Sequence, residues 1–186
     1  FRIHDYVQLQ LGGVAYPGET LPSGSWISIG TDKLQIDVGY REHWWSPMRD
    51  SSMLIGTQAP SMPSVTVSNY TPLTSFNFTY EAFMARMERV DGIAFQGGTT
   101  SGSPRLAGLN LAIEPLPGWS LGASRLLQFG GGGRSSSFSD LLNAFFRPTR
   151  YDNISDDLST DDQFGNQVAA LTSKFVFPTR TPFSVY

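Results

Sequence analysis

The stretch "GLNLAIEPLPGWSLGASRLLQF", residues 108–129, contains two runs of alternating apolar and polar residues on either side of a short turn. An alternation of period two is typical of a half-buried β-strand. The Pro-Leu-Pro-Gly sequence at 115–118 favours a tight turn, so the stretch predicts an antiparallel hairpin. One face of this hairpin is apolar and is interrupted only by Arg125. That face carries Leu109, Leu111, Ile113, Trp119, Leu121, Ala123, Leu127 and Phe129.

The same alternation recurs in "LQIDVGY" (34–40) and in "SFNFTYEAFMAR" (75–86). The polar faces of these strands carry small or uncharged residues, with occasional single charges such as Asp37 and Glu81. The polar face of a soluble β-sandwich meets water and usually carries lysine, glutamate and threonine. A face of glycine, serine, asparagine and glutamine instead predicts a crowded interior.

Short and long connections alternate along the chain. Tight turns are predicted at 30–33, 70–75, 115–118 and 178–182, and long connections at roughly 16–23, 41–62, 87–104 and 130–165. The alternation holds provided that residues 52–57 are part of a long connection and not a spanning strand. Short turns at one end of the strands and long loops at the other are typical of an outer-membrane β-barrel.

About nine strands follow from these patterns, at 5–16, 24–30, 33–41, 63–70, 74–86, 104–115, 119–130, 165–177 and from 182 onward. The predicted fold class is therefore an all-β, antiparallel, transmembrane outer-membrane β-barrel. Both ends of the chain lie inside strand-like patterns, so we expect residues 1–186 to be one segment of a barrel domain of roughly 16–18 strands, about half of the whole. Trp119 and Tyr70, beside short turns, are expected at the inner membrane interface.

The composition agrees with this interpretation and excludes some functions. Charged residues make up 16% of the chain, against about 25% in soluble domains. The net charge of −3 provides no basic surface for nucleic acid. There are no cysteines, which excludes disulfides and thiolate metal sites. No apolar run approaches the roughly 20 residues of a membrane-spanning helix, and the N-terminus does not resemble a signal peptide.

One segment in the longest connection predicts a helix. Residues 139–148, "SDLLNAFFRP", begin with Ser139 and Asp140, which favour a helix start, and end at Pro148. The apolar residues between them recur at helical spacing. We expect this helix to pack on the mouth or the lumen of the barrel, with docking of a partner as the alternative.

The sequence gives little support for catalysis. Its two histidines have no metal-ligand spacing, and no Gly-x-Ser-x-Gly nucleophile motif is present. The glycine-rich run at 129–137 lacks the Lys-Ser/Thr of a phosphate-binding loop, which favours a flexible loop. The aspartate-rich stretch 152–162 lacks the calcium-loop spacing. We therefore expect no enzyme activity, no cofactor and no metal.

The segment "YREHWWSPMRDSSMLIGTQAPSMPS", residues 40–64, is the best candidate for a binding site. Trp44 and Trp45 offer flat apolar faces for sugar rings, and Arg49 and Asp50 offer hydrogen bonds to hydroxyls or uronic carboxylates. Arg134, in the 130–165 connection, is a further candidate for an acidic polymer. The alternative is that the tryptophans fill the lumen or pack beneath the loop.

Two segments of the chain resemble the Wzi capsule-assembly family in order and spacing. The first is the run "GYREHWWSPMRDSSMLIGTQAPSMPSVTVSN", with its double tryptophan, proline and Asp-Ser-Ser stretch. The second extends from "LAIEPLPGWSLGASRLLQFGGGGR" through the Asp-Leu-Leu helix to "GNQVAALTSKFVF". Together the two segments cover most of residues 34–186.

The resemblance implies an outer-membrane barrel of a Gram-negative bacterium that attaches capsular polysaccharide to the cell surface as a lectin-like protein, without a chemical step. Its expected partners are the capsular polysaccharide and the outer-membrane lipid, including lipopolysaccharide. Two alternatives share parts of this pattern. A porin has the same fold but would conduct ions and retain no polysaccharide, and a soluble β-sandwich carbohydrate-binding module has the aromatics but would stay soluble without detergent. An enzyme that acts on the polymer is a third alternative.

Overall fold

The computed structural model describes residues 2–4, 6–48, 50–57, 61–95, 97–146, 165–178 and 183–186. These residues form fourteen strands and one helix. In chain order the strands are β1 (Arg2–His4), β2 (Val7–Gln10), β3 (Val14–Tyr16), β4 (Glu19–Leu21), β5 (Trp26–Gly30), β6 (Gln35–Gly39), β7 (Ser64–Ser68), β8 (Thr79–Arg86), β9 (Val90–Phe95), β10 (Gly98–Gly102), β11 (Arg105–Leu116), β12 (Trp119–Phe129), β13 (Gly165–Phe177) and β14 (Phe183–Val185). The helix, α1, spans Phe138–Phe146 and lies between β12 and β13.

Ten of the described strands form one antiparallel sheet in the order β1-β2-β5-β6-β7-β8-β11-β12-β13-β14. The remaining strands form two separate hairpins, β3–β4 and β9–β10. The β9–β10 hairpin lies within the connection predicted at 87–104, whereas β3–β4 occupies the connection predicted at 16–23 together with the end of the strand predicted at 5–16. Short and long connections alternate across the whole sheet. Residues 52–57 are not a strand, as this alternation requires. The all-β antiparallel class is confirmed.

The hairpin of β11 and β12 forms one of the two longest ladders of the sheet, the other being that of β12 and β13. In β11 and β12, Leu109 pairs with Arg125 and Asn110 with Ser124, and β12 continues this register into β13, where Arg125 pairs with Ala169. The predicted bounds of β13 are confirmed at both ends. Because side chains alternate between faces, these pairings place the apolar residues at the odd-numbered positions of the motif on one face together with Arg125, and Leu126 on the other.

Two predicted strands differ from the structure. The strand predicted at 5–16 is divided into β2 and the start of the β3–β4 hairpin. The strand predicted at 74–86 begins only at Thr79, because residues 74–77 form a turn in which Thr74 and Asn77 have positive φ angles of 64° and 50°. The Asn69 side chain holds this turn by donating to the carbonyl oxygens of Thr71 and Phe78 at 2.9 and 3.0 Å.

In a soluble β-sandwich the apolar face of each sheet is buried and the polar face is exposed. In this sheet the exposure of the two faces is reversed. The apolar face is open, and its side chains on β5, β6 and β7 are 37% to 54% exposed: Ile27, Ile29, Ile36, Val38 and Val65. The polar face is covered, and its side chains on the same strands are buried: Ser28, Asp37, Ser64, Thr66 and Ser68. An apolar surface of this extent marks a contact with lipid or with another protein.

Helix α1 lies on the apolar face of the sheet. Its buried residues Leu141 and Ala144 pack against Ala107, Leu127 and Phe129, which belong to the apolar face of β11 and β12. The helix predicted at 139–148 is therefore confirmed, although Pro148 lies outside the described residues. The helix packs at the ends of β11 and β12 that adjoin the long connections, on the apolar face and not on the covered polar face.

Arg125, the interruption in the apolar face, holds this helix in place. Its guanidinium donates to the carbonyl oxygens of Phe145 and Ala144 at 2.8 and 3.0 Å and to the side-chain oxygen of Gln167. A cation at a helix C-terminus is stabilised by the unpaired carbonyls and by the helix dipole. Within the described ranges, no helix combines the length and the apolar character that crossing a membrane requires.

Candidate functional site

Residues 41–48 and 50–57, which we call the tryptophan segment, fold back over the polar face of the sheet. Arg41 begins this return. One of its terminal nitrogens donates to the carboxylate of Asp37 and, at 3.2 Å, to the hydroxyl of Ser68, and the other donates to Oε2 of Glu81 at 2.9 Å. Asp37 is 2% exposed, so the arginine compensates a buried negative charge. The segment is thereby joined to β6, β7 and β8.

Glu81 is the common acceptor for three residues of the tryptophan segment. Its Oε2 binds Arg41, and its Oε1 accepts from Nδ1 of His43 at 2.7 Å and from Nε1 of Trp45 at 2.8 Å. The His43 ring stacks on Phe83 with 4.0 Å between centroids. A carboxylate that accepts several hydrogen bonds from nearby donors fixes the positions of all of them. Glu81 therefore sets the course of residues 41–45.

Trp45 anchors the tryptophan segment to the sheet. It is 4% exposed and packs with Phe83, Ala85 and Leu126. Gly108 makes this approach possible, since a Cβ there would lie 2.5 Å from Cε1 of Phe83 and 2.8 Å from Cδ2 of Leu126, and closer still to Cη2 of Trp45. Trp45 is thus packed beneath the segment, and it also lines the cavity described next.

Trp44, in contrast, is only half-buried and borders a cavity of about 300 Å³. Its indole N–H donates to the carbonyl oxygen of Met48 at 3.1 Å, which closes a local turn. We call this space the Trp44 cavity. It lies between the segment and the polar face of three strands, and its lining comprises Trp44, Trp45, Ser46, Pro47, Asn110, Ala112, Ser120, Leu121, Gly122, Ser124, Thr172 and Lys174.

The wall of the Trp44 cavity combines hydroxyl, amide and ammonium groups. Ser124 donates to the Oδ1 of Asn110 at 2.7 Å, which leaves the amide NH₂ of Asn110 as a donor. Lys174 donates to the carbonyl oxygen of Pro47 at 3.3 Å and lies 5.2 Å from the centroid of the Tyr186 ring. An indole face opposite such groups suits a sugar ring, and the lysine suits a sugar carboxylate.

The predicted site residues do not all meet in one place. Trp44, Trp45 and the exposed Asp50 are on the tryptophan segment, and Arg49 lies outside the described residues. Arg134 is remote from them in the fold. Its Nε donates to the carbonyl oxygen of Ala94 at 2.8 Å, and it borders a separate cavity of about 240 Å³ beside β9. The aspartate-rich stretch 152–162 also lies outside the described residues.

Sequence reasoning missed several residues of the site. Asp37 and Glu81 stood out as isolated charges on polar faces, which was a usable signal of an internal ion pair. Their partners Arg41 and His43 are distant from Glu81 in sequence, and no local pattern connects them. Lys174 is one of two lysines in the chain, but only the register of β12 and β13 brings it opposite Ser120.

The chain matches known proteins over most of its length. The family model described as capsule assembly protein Wzi matches residues 23–186. A protein of Klebsiella pneumoniae described as an uncharacterized 55.8 kDa protein in the cps region is 25% identical over 140 residues. That match covers 75% of this chain and 26% of the Klebsiella protein.

Among solved structures, the chain resembles one from Escherichia coli with a TM-score of 0.68 and 18% identity. The match covers 92% of this chain and 36% of the other. That protein is described as Wzi, an outer-membrane protein involved in group 1 capsule assembly and a carbohydrate-binding β-barrel. The likeness shows that the sheet has the fold of part of such a barrel. The chain spans about a third or less of the length of both relatives.

Proposed function

Because the chain belongs to the family of the capsule assembly protein Wzi, we propose that it is part of an outer-membrane β-barrel that holds capsular polysaccharide at the surface of a Gram-negative cell. The polymer binds on the polar face of the sheet, which faces the lumen and the mouth of the barrel. Binding occurs without a chemical step. The structural relative, described as a carbohydrate-binding β-barrel, supports this assignment.

The observation that carries the proposal is the Trp44 cavity. Specific contacts hold the tryptophan segment on the polar face. Glu81 accepts a hydrogen bond from the indole of Trp45, and Trp45 itself is buried against the sheet. The flat indole ring of Trp44 is therefore held opposite hydroxyl and amide groups, across a cavity large enough for one sugar residue. Rigid aromatic anchors with few adaptable polar contacts bind at low entropic cost.

The apolar face supports the membrane part of the proposal. Its exposed isoleucine and valine side chains form the lipid-facing band of the barrel. Trp119, whose ring stacks on Phe175 with 5.3 Å between centroids, borders the short turn at 117–118 and is proposed to lie at the inner interface. The lipid of the outer membrane, including lipopolysaccharide, is then a second partner.

A passive porin is the main alternative with the same fold, and the tryptophan segment argues against it. A porin lumen is polar and filled with water. Here the segment covers the polar face from Asp37 to Lys174, so this part of the lumen is occupied. We propose that Arg49, Asp50 and Arg134 add further contacts to an acidic polymer nearer the long connections.

The proposal is tested by titrating purified acidic capsular polysaccharide into the full-length protein in detergent. Replacing Lys174 by glutamine removes the charge at the cavity and is expected to weaken binding about threefold to tenfold. Lys33 is exposed in the short turn at 31–34, so Lys33→Gln removes the same charge elsewhere and should leave binding unchanged. Equal affinities for wild type, Lys174→Gln and Lys33→Gln would contradict the proposed site.

A further inference from the structure

Two arginines lie opposite each other at the end of the apolar face that adjoins the long connections. Arg86 is the last residue of β8 and Arg105 is the first residue of β11, and the register pairs them directly. Both side chains are exposed. Alternation along the two strands places them on the same face as Met84 and Ala107, which is the apolar face. The long connection 87–104 begins and ends at this pair.

The pairing of two like charges requires compensation. Residues directly opposite on antiparallel strands have Cβ atoms about 4.5–5.5 Å apart, and like charges there destabilise the sheet. Among the described residues, neither arginine has a carboxylate at ion-pair distance. Arg105 donates to the carbonyl oxygen of Ser136 at 3.1 Å. Most of the ten guanidinium donors of the pair thus remain for an external anion.

The surface directly below the arginines is apolar. A cleft of about 360 Å³ starts at Arg86 and Arg105 and is lined by Val38, Val65 and Met84. Val65 and Met84 also border a larger groove of about 900 Å³. The two spaces are therefore adjacent along the apolar face.

Helix α1 forms the far wall of the larger groove. Its residues Leu142 and Phe146 border the groove opposite Val67 and Leu109 of the sheet. Phe138, Leu142 and Phe146 are 65%, 42% and 82% exposed and follow each other at intervals of four along the helix. These three side chains form an apolar stripe on the part of the helix surface that the sheet does not cover. The helix thus extends the apolar surface outward beside the groove.

We propose that Arg86 and Arg105 bind a phosphate of lipopolysaccharide, the phosphate-bearing and multiply acylated lipid of the outer leaflet, and that its acyl chains occupy the groove beside α1. Two planar guanidinium groups match the oxygens of one phosphate group. The site lies at the level where the long connections begin, so the head group is at the outer surface. This inference rests on the proposed placement of the apolar face in the outer membrane.

The test compares lipid binding by full-length variants in detergent, with heat-modifiable gel mobility as the check of folding. Arg86→Gln/Arg105→Gln is the test variant. Arg89→Gln is the matched control, because Arg89 is 70% exposed in the same connection and its ion pair with Asp91 is long at 3.6 Å. Each protein is titrated with lipopolysaccharide and with the same lipid after removal of its phosphates, and bound lipid is counted by native mass spectrometry.

We expect the double variant to bind lipopolysaccharide about tenfold or more weakly than wild type and Arg89→Gln. Removal of the phosphates should weaken wild type to the same degree. Equal binding by all three proteins, or equal binding of both lipid forms by wild type, would overturn the proposal. Displacement of the lipid by millimolar inorganic pyrophosphate alone would show a site for free phosphate and also overturn it.

A charge-retaining variant covers the case in which the double variant does not fold. Arg86→Lys keeps the positive charge but loses the planar guanidinium group, so we expect an affinity for lipopolysaccharide between those of wild type and the double variant. Unchanged affinity would argue against phosphate recognition. Polysaccharide binding is measured on the same samples. It should be unaffected, because Arg86 and Arg105 lie on the opposite face from Trp44. Failure of the polysaccharide proposal is thereby distinguishable from failure of the lipid site.

Discussion

Replacing Gly108 with alanine is expected to force the tryptophan segment away from the sheet. The added methyl group would meet the rings of Phe83 and Trp45 and the side chain of Leu126, all of which are buried. Phe83 cannot move aside, because the His43 ring stacks on it at 4.0 Å. Overpacking of a core typically costs about 1–3 kcal/mol. With three rigid neighbours, we expect the upper half of this range, about 2–3 kcal/mol.

Gly122→Ala is the matched control for this prediction. Gly122 lies on the polar face of the neighbouring strand, and a Cβ there would approach Oγ1 of Thr172 at 2.5 Å. That hydroxyl can rotate away, so the free energy of unfolding should fall by less than about 1 kcal/mol. Neither glycine has a positive φ angle, and backbone strain therefore does not distinguish the two variants.

The assay is denaturant unfolding of the full-length protein in detergent, followed by tryptophan fluorescence. Adding Trp45→Phe to Gly108→Ala should make room for the methyl group, so the double variant should be less destabilised than the sum of the single variants by at least about 0.5 kcal/mol. Equal stability of Gly108→Ala and Gly122→Ala, or additivity in the double variant, would refute the packing of Trp45 on this wall.

Two further changes test the contacts of the segment and of the helix. Glu81→Gln removes the negative charge that accepts hydrogen bonds from Arg41, His43 and Trp45. We expect the free energy of unfolding to fall by about 1.5–3 kcal/mol and proteolysis within residues 41–57 to become faster. Unchanged proteolysis would argue against Glu81 as the common acceptor. Arg125→Met removes the donors to the carbonyls of α1, and the helix should loosen by about 1–2 kcal/mol, seen as higher mobility of a spin label at position 142; an unchanged spectrum would contradict this anchor.

The alternation of residue types was sufficient to predict the ladder from β11 to β13. Period two determines which residues share a face, and Pro and Gly at 115–118 fix the turn. The prediction failed where a polar side chain overrides the pattern, as at residues 74–77, where the Asn69 amide stabilises a turn within an apparently alternating run. The β9–β10 hairpin lies in a long connection without a strong periodic signal, and β3 falls at the end of the strand predicted at 5–16, which the pattern did not separate from β2.

The sequence does not reveal what covers each face. The double tryptophan predicts a binding site, but its two rings differ in burial and packing, because only Trp45 lies over Gly108 in the folded sheet. Arg125 appeared as an unexplained break in an apolar face. In the structure it donates to the last carbonyls of α1, which packs on that face. Both outcomes depend on contacts between segments far apart in sequence, which periodicity does not report.

The most direct test of polysaccharide binding on the polar face is the affinity of full-length Trp44→Ala for purified capsular polysaccharide. We expect a loss of about threefold to tenfold relative to wild type. Trp44→Phe, which keeps a flat apolar face, should retain most of the affinity, and Trp119→Ala, which removes a tryptophan from the opposite face, should retain all of it. Unchanged affinity in folded Trp44→Ala would contradict the account, as would an equal loss in Trp119→Ala.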